Sequence, residues 1–330
     1  MESVRKSEVS EHPWFINSIT NSFMLTVSDF YKSLFGQKVY KISVDAGCTC
    51  PNRDGTLGVG GCLFCSQNGS GDFIFGRDLA IEEQIEQAKK LVEKKFSRKA
   101  ARGEGVAKKY IVYFQSFTST YGDQKRLTAL FERAVAAPDV VGIAIGTRPD
   151  CLTKEMLAFL GKLSARTFVQ VELGFQTANE ATADFCRRGF KNEVFFEAVG
   201  RLHAAAKAHG GVIHVVTHVI FGLPGDNASD MFTTVQEAVH AKTDGIKITV
   251  LYVVEGTGLA RLYAEGKLRT LEKEEYYDLL REAIKLIPKE VVIHRLTGDP
   301  PKKILIAPEW TTDKKRVMNE IAALLAKNTS

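Results

Sequence analysis

Six runs rich in β-branched and aromatic residues recur along the chain and predict strands. They span residues 38–45, 110–117, 140–147, 167–177, 211–225 and 245–258. Between them, apolar residues three and four positions apart predict amphipathic helices. This alternation predicts a parallel sheet covered by helices, and leaves open whether the sheet is an open doubly wound one or a barrel or partial barrel.

A seventh run, at residues 291–301, follows a helical segment and precedes a basic tail helix. No internal linker is rich enough in Pro, Gly or Ser to mark a second domain. In either kind of parallel sheet, the loops after the strands carry the functional site. Here those loops hold the conspicuous polar and cysteine residues, so we expect function at one end of the sheet.

The composition is that of a globular protein, with 45% hydrophobic and 25% charged residues in 330 positions. No apolar run approaches the roughly 20 residues of a membrane span. The N-terminus carries Glu2, Arg5, Lys6 and Glu8 instead of an apolar signal core. We therefore expect a soluble, cytoplasmic protein with no membrane partner.

The chain is mildly basic, with a formal net charge of +5. The basic segment, Lys89 to Lys109, contains nine cations against Glu93 and Glu104. One interpretation is a solvated outer helix with its following loop. The other is a surface that binds the phosphates of an RNA partner.

Four of the six cysteines, Cys48, Cys50, Cys62 and Cys65, lie in one loop after the first predicted strand. In a reducing compartment such clustering favours a metal over disulfides. The other two, Cys151 and Cys186, are interpreted as small buried apolar residues. Four thiolates are the ligands of a structural zinc site, although one residue between Cys48 and Cys50 is a tighter spacing than usual.

A second interpretation uses only Cys50, Cys62 and Cys65, spaced C-x11-C-x2-C. Three thiolates on a four-iron cluster leave one iron open to bind a substrate or cofactor. The glycines of the intervening "GTLGVGG" allow the backbone to wrap closely around a bulky inorganic core. The same stretch lacks the GK[ST] ending of a phosphate loop and the GxGxxG order of a dinucleotide site, so both phosphate-binding alternatives are weak.

The loop "TCPNRDGTLGVGGCLFC" resembles the radical S-adenosylmethionine (SAM) superfamily, which holds a 4Fe-4S cluster on three cysteines. The superfamily's usual spacing is C-x3-C-x2-C, and the longer first gap is similar to the branch of the elongator catalytic subunit. "TCPNRDG" with "GGCLFC" is similar to a bacterial subfamily of this type. The resemblance implies a partial (β/α)6 TIM-like barrel with cluster ligands Cys50, Cys62 and Cys65, and with Cys48 beside the cluster as a non-ligand.

The resemblance also implies an organisation of the whole chain. Residues 1–37 would be an N-terminal extension, residues 38–260 the barrel core, and residues 261–330 a C-terminal extension, a strand and a helix, packed on the barrel. Later motifs support it in the same order along the chain: "YFQSFTSTY" (113–121), "GTRPDCL" (146–152), "ELGFQT" (172–177), "HVIFGLPG" (218–225) and "VVEGTGL" (253–259).

Contacts with SAM are implied by three of these motifs. They assign the amino acid side of SAM to Gln115 and Thr118, further contacts to Glu172 and Gln176, and the adenine side to Gly222 and Pro224. Each has a structural alternative. Glu172 could pair with Arg148 or Arg187, and the "GLPG" stretch could be a tight turn that leaves a strand.

The implied activity is cleavage of SAM to a 5′-deoxyadenosyl radical, with the electron supplied by a donor such as flavodoxin or ferredoxin. The first hypothesis for the substrate is RNA, specifically a tRNA base. A small metabolite such as a tetrapyrrole is the second, because "GLPG" and "FQT" also resemble coproporphyrinogen-oxidase-like members. A zinc-stabilised RNA-binding protein without catalysis is the third. His294 and Arg295, at the end of the seventh run, are candidates to face the substrate.

Overall fold

The computed structural model describes residues 24–69, 71–72, 74, 76–100 and 108–326, with the backbone alone at 94–100. Its main feature is a sheet of parallel strands, ordered β1-β2-β3-β4-β5-β6-β8, in which every neighbouring pair is parallel. These strands are β1 (Tyr40–Val44), β2 (Tyr110–Phe114), β3 (Val140–Thr147), β4 (Phe168–Gln176), β5 (Ile213–Phe221), β6 (Gly245–Val250) and β8 (Val292–Arg295).

Helices connect successive strands and cover the outside of the sheet. They are α1 (Val27–Phe35), α2 (Ile81–Ala100), α3 (Gln124–Val135), α4 (Lys154–Ser164), α5 (Glu180–Phe185), α6 (Asn192–Ala208), α7 (Ala228–His240), α8 (Gly258–Ala264), α9 (Lys273–Lys285) and α10 (Lys314–Ala326). Two short strands, β7 (Val253–Val254) and β9 (Leu305–Ala307), pair antiparallel with each other.

The two faces of the curled sheet, a half-barrel, carry different residues. Outward side chains such as Ile42, Val112 and Val169 pack with the helices in one large apolar core. Inward positions on the same strands include Lys41, Gln170 and other polar residues. The predicted partial TIM-like barrel is confirmed, and alternating strand positions explain how one strand serves both faces.

Helix α1 covers the amino-terminal end of the half-barrel. Tyr31 and Phe35 pack edge-on against Phe168, the first residue of β4, with ring centroids 6.0 and 5.6 Å apart. Just before α1, the carbonyl of Leu25 accepts a hydrogen bond from Ile293 N (2.8 Å), which attaches the segment to β8. Residues 24–37 of the predicted N-terminal extension therefore close the barrel, and residues 1–23 lie outside the described residues.

The C-terminal part continues the same sheet. β8 pairs in parallel with β6, and α9 and α10 bury residues such as Tyr276 and Ile321 against the β6 side. The predicted seventh strand and tail helix are both present. The single strand predicted over 245–258 is wrong: β6 ends at Val250, and the chain turns so that β7 can pair with β9. β9 has only three residues, too few for a periodic pattern to reveal.

Packing between the sheet and α3 should contribute strongly to the free energy of unfolding. Phe131 is fully buried and meets Phe114 with ring centroids 4.7 Å apart, whereas Phe185 is 50% exposed. We expect Phe131→Ala to lower the free energy of unfolding by about 3–5 kcal/mol, since it leaves a cavity in a packed core. The exposed control, Phe185→Ala, should change it by about 0.5 kcal/mol or less. Urea titration measures both, and equal effects would contradict the assigned packing.

Candidate functional site: the cysteine loop and the barrel interior

The cysteine loop, residues 45–69, leaves the carboxyl end of β1. It is attached to the segment after β2 by a hydrogen bond from Thr118 N to the Thr49 carbonyl (3.2 Å). Cys50, Cys62 and Cys65 are half-buried, free thiols in this loop. Parallel strands end at a common edge, so this loop lies where such folds place their chemistry.

Asn52 fixes the loop against the segment after α5. Its side-chain amide donates to the carbonyls of Arg187 (2.7 Å) and Arg188 (3.1 Å), and lies 3.4 Å from the Cys62 sulfur. A Cβ on Gly189, whose φ is +80°, would come within 2.7 Å of Asn52 Oδ1. Glycine at 189 therefore permits the close approach that lets one amide hold both the backbone and the thiol.

Arg53 closes the other side of the loop. Its guanidinium donates to the carbonyls of Cys65 (3.3 Å) and Ser66. The thiols of Cys62 and Cys65 are in contact, and this contact lowers the pKa of Cys62 and raises that of Cys65. The loop thus presents soft sulfur donors, an amide donor and positive charge together, which is the chemistry that stabilises thiolates.

The donor set fits an iron–sulfur cluster. Clusters of this kind are held by cysteine thiolates and tuned by hydrogen bonds to sulfur, as Asn52 gives to Cys62. Within the described part of the chain, no three His, Cys, Asp or Glu side chains are grouped to hold a single metal ion.

Cys48 has a different environment from the other three cysteines. Its sulfur contacts the Ala46 carbonyl (3.9 Å) and the Arg126 guanidinium (3.8 Å), and it packs against the outer apolar core. Burial raises the pKa of the Cys48 thiol to about 11. These contacts differ from those of Cys62, whose sulfur lies against the Asn52 amide.

Inside the half-barrel, Glu172 of β4 is 1% exposed and stands at the centre of a polar cluster, here called the Glu172 network. Its carboxylate accepts hydrogen bonds from five side chains: Gln170 Nε2 (2.5 Å), Tyr113 OH (2.6 Å), His218 Nε2 (2.8 Å), Lys41 Nζ and Lys247 Nζ. Burial alone would raise the pKa of Glu172, but Lys247 and Lys41 outweigh it and hold that pKa well below its usual range. The carboxylate is therefore ionised and shared by two cations.

The network changes the acidity of its neighbours. Burial lowers the pKa of Lys247 to about 7, and the nearby positive charges of Lys41 and Arg295 act in the same direction against the attraction of Glu172. His214 and His294 face each other across the interior with their Nε2 atoms 2.8 Å apart. Because burial lowers the pKa of both rings, this pair is neutral near pH 7.

The residues expected to contact SAM lie on three strands and their following loops. Gln115 Oε1 accepts from Ser43 Oγ (2.9 Å), and Thr118 is buried. Gln176 ends β4 with a φ of +63°, and its side-chain amide, oriented to donate, lies 3.1 and 3.0 Å from the Gly174 and Phe175 carbonyls.

The "GLPG" turn follows β5 directly. Gly222 has a φ of +87° and its backbone amide lies 3.3 Å from the Met231 sulfur; a Cβ there would meet Leu271 at 2.9 Å. Pro224 is half-buried in the same turn. Glycine at 222 is thus required by backbone conformation and by packing.

Glu172 pairs with neither Arg148 nor Arg187, because its carboxylate faces the barrel interior and binds Lys41 and Lys247. Arg148 binds Asp150 instead (2.7 Å). Sequence reasoning missed both lysine partners of Glu172. The signal was present, since each lysine interrupts an apolar strand run at an inward position, in "YKISV" and "GIKITV".

The basic segment is only partly described. Lys89 is 6% exposed and donates to Glu86 (2.8 Å) and to the Pro138 carbonyl (2.8 Å), so its assignment to a phosphate-binding surface is wrong. Lys108 pairs with Glu93 (2.6 Å). The side chains of residues 94–107 lie outside the described residues. Among the helices described, none is long and apolar enough to cross a membrane.

The buried histidines should make stability depend on pH. Burial lowers the pKa of His214 to about 4, whereas an unfolded histidine titrates near 6.5. Between these values the unfolded chain binds more protons, so the free energy of unfolding falls as the pH decreases. We expect this fall to be shallower in His214→Asn by about 1 kcal/mol per pH unit. Urea unfolding between about pH 5 and 6.5 measures it; parallel curves for the two proteins would contradict the neutral buried ring.

Comparison with known proteins shows which family the chain resembles in sequence. The profile of the Radical SAM superfamily matches residues 50–238, and that of the Radical_SAM C-terminal domain matches residues 243–327. The Bacillus subtilis protein YtqA is 38% identical over 296 residues, which is 90% of this chain and 87% of YtqA.

Two further matches are more distant. A tRNA uridine(34) acetyltransferase of Methanocaldococcus jannaschii is 31% identical over 170 residues, 50% of this chain and 30% of that protein. The structure of Elp3 from Methanocaldococcus infernus, with an N-terminal deletion, superposes with a TM-score of 0.62 at 19% identity. That superposition covers 89% of this chain and 64% of the Elp3 chain, and at this identity it supports the fold alone. By its family profiles and its similarity to YtqA, the chain belongs to the radical SAM superfamily, a family of enzymes whose cofactors are SAM and a 4Fe-4S cluster.

Proposed function

We propose that the chain uses a 4Fe-4S cluster and SAM to modify an RNA substrate, specifically a tRNA base. The observation that carries the catalytic part is the cysteine loop at the carboxyl edge of the half-barrel. Its Cys62 thiol contacts both Cys65 and the Asn52 amide, and Cys50 is close enough to act electrostatically on Cys65. Cys50, Cys62 and Cys65 would hold the cluster, and Cys48 would not. When bound, the cluster supplies the electron that cleaves SAM, with flavodoxin or ferredoxin as its donor.

The chain's own residues would then bind and orient SAM. Gln115 and Thr118 lie beside the cysteine loop and would contact its amino acid part, while Gly222 and Pro224 would line the adenine. Gln176 completes this set at the end of β4. A SAM amine could reach Glu172 only by displacing one of its five donors, so this contact would come with a rearrangement of the Glu172 network.

An RNA substrate is supported by the relatives. One of them is named a tRNA uridine(34) acetyltransferase, and its matching region spans half of this chain. The exposed side chains of Lys38, Lys302 and Lys303 add positive charge on the described surface. RNA would be held through such cations by its phosphates. This proposal covers the substrate class and leaves the net reaction open.

Replacing single cysteines tests the ligand assignment. Purified without oxygen, the wild-type chain should be brown and hold roughly four irons, and with a reductant it should cleave SAM. Cys62→Ala should lose the iron and the activity, because it removes a ligand. Cys48→Ala is the matched control and should retain nearly all of the iron. Iron loss in Cys48→Ala with retention in Cys62→Ala would reassign the ligands, and a colourless protein with one zinc would leave only the zinc-stabilised RNA-binding alternative.

Binding of bulk tRNA tests the substrate class. We expect an affinity that falls steeply with salt, by about tenfold or more over a fourfold rise in salt, because phosphate contacts release counterions. Fluorescence anisotropy with labelled tRNA measures it. If no binding occurs even at low salt, RNA is excluded and a small metabolite becomes the substrate to search for.

A further inference from the structure

A cavity of about 370 Å³ opens between the edge strands β1 and β8 beneath α1. Four basic side chains are among the residues that line it. Lys41, Lys247 and Arg295 project into it from β1, β6 and β8, and exposed Lys38 lies at its mouth. Gln115 lines the same cavity, so it extends toward the end of the barrel where SAM is proposed to bind.

The charges around this cavity do not balance. Glu172 is the carboxylate that pairs with Lys41 and Lys247, and both lysines share it. Within the described residues, the Arg295 side chain makes no hydrogen bond or ion pair, although its backbone is paired with Lys247 in the sheet. The histidines in the interior are neutral near pH 7 and add no further positive charge.

Burial, and then the positive charges of Lys41 and Arg295, lower the pKa of Lys247 to about 7. The three basic side chains around the cavity therefore raise one another's free energy. An anion in the cavity would remove this repulsion. It would also meet planar guanidinium donors, which match the two oxygens of a carboxylate or phosphate.

We propose that this cavity binds an oxyanion of the substrate, a carboxylate or a phosphate group, through Arg295 with Lys41 and Lys247 beside it. The inference rests on the proposed function in one respect, that the anion belongs to the substrate of the SAM reaction. With SAM near Gln115 at one end, the anionic group at the other end fixes how far the substrate enters. Arg295 is in this sense a specificity-determining residue.

Thermal unfolding in different anions tests the site without RNA or turnover. The holoenzyme is melted in chloride, in inorganic phosphate and in acetate at equal ionic strength. We expect phosphate or acetate to raise the melting temperature by about 2 °C or more, through binding to the folded state. Phosphate also stabilises proteins generally, so the comparison between variants decides.

Arg295→Gln should lose most of this rise, while its own melting temperature in chloride stays the same or increases, because an unpaired cation has been removed. Arg295→Lys, which keeps the charge but not the planar donors, should retain part of the rise. Arg269→Gln is the matched control, since Arg269 is an exposed surface residue paired with Glu275, and it should keep all of it.

An equal rise in Arg295→Gln and wild type would overturn the proposal, because the anion would then act elsewhere. The part of each rise that Arg295→Gln removes is compared between acetate and phosphate, and the larger one identifies the group as carboxylate or phosphate. Failure of tRNA binding alongside an Arg295-dependent response would remove RNA as the substrate and leave the oxyanion site standing.

Discussion

The carboxylate of Glu172 ties together five strands across the barrel interior. It lies on β4 and reaches Lys41 on β1 and Lys247 on β6, as well as Tyr113 on β2 and His218 on β5. A buried ion pair stabilises little in net terms, but removing one partner from it costs about 3–5 kcal/mol. The strands of the half-barrel are thus held to one arrangement, since any other would leave a charge unpaired in the interior.

That constraint separates two ends of the site with different chemistry. At the carboxyl edge of the sheet, the side chains of Asn52 and Arg53 hold the cysteine loop by hydrogen bonds to backbone carbonyls. The sulfurs therefore remain available as electron-pair donors to a metal. Deeper in the barrel, the polar groups are charged and Glu172 fixes their positions. A cofactor that needs soft ligands and a substrate group that needs cations can therefore occupy the same half-barrel without competing for residues.

Local patterns predicted most of the fold, because the same alternation of strand and helix repeats along the chain. The loops that carry the site follow their strands directly in the sequence. The cysteine loop could be located for the same reason, since Cys50, Cys62 and Cys65 lie within 16 positions of one another. The Glu172 network could not. Lys41 and Lys247 are 131 and 75 positions from Glu172, and which of its neighbours a buried carboxylate meets depends on the curl of the whole sheet. The Arg148 alternative failed because Asp150 is only two positions away and satisfies it locally.

The placement of two lysines on one carboxylate also explains why Arg295 matters more than its neighbours. Glu172 already orients Lys41 and Lys247, so an entering anion finds them fixed and has little ordering to impose on them. Among the described residues, the Arg295 side chain has no such partner, and the proposed anion would give it a counter-charge. The described part of this interior places the carboxylate of Glu172 beside two lysines that also face Arg295 across the cavity, and a bound anion would reduce the repulsion among these three basic groups.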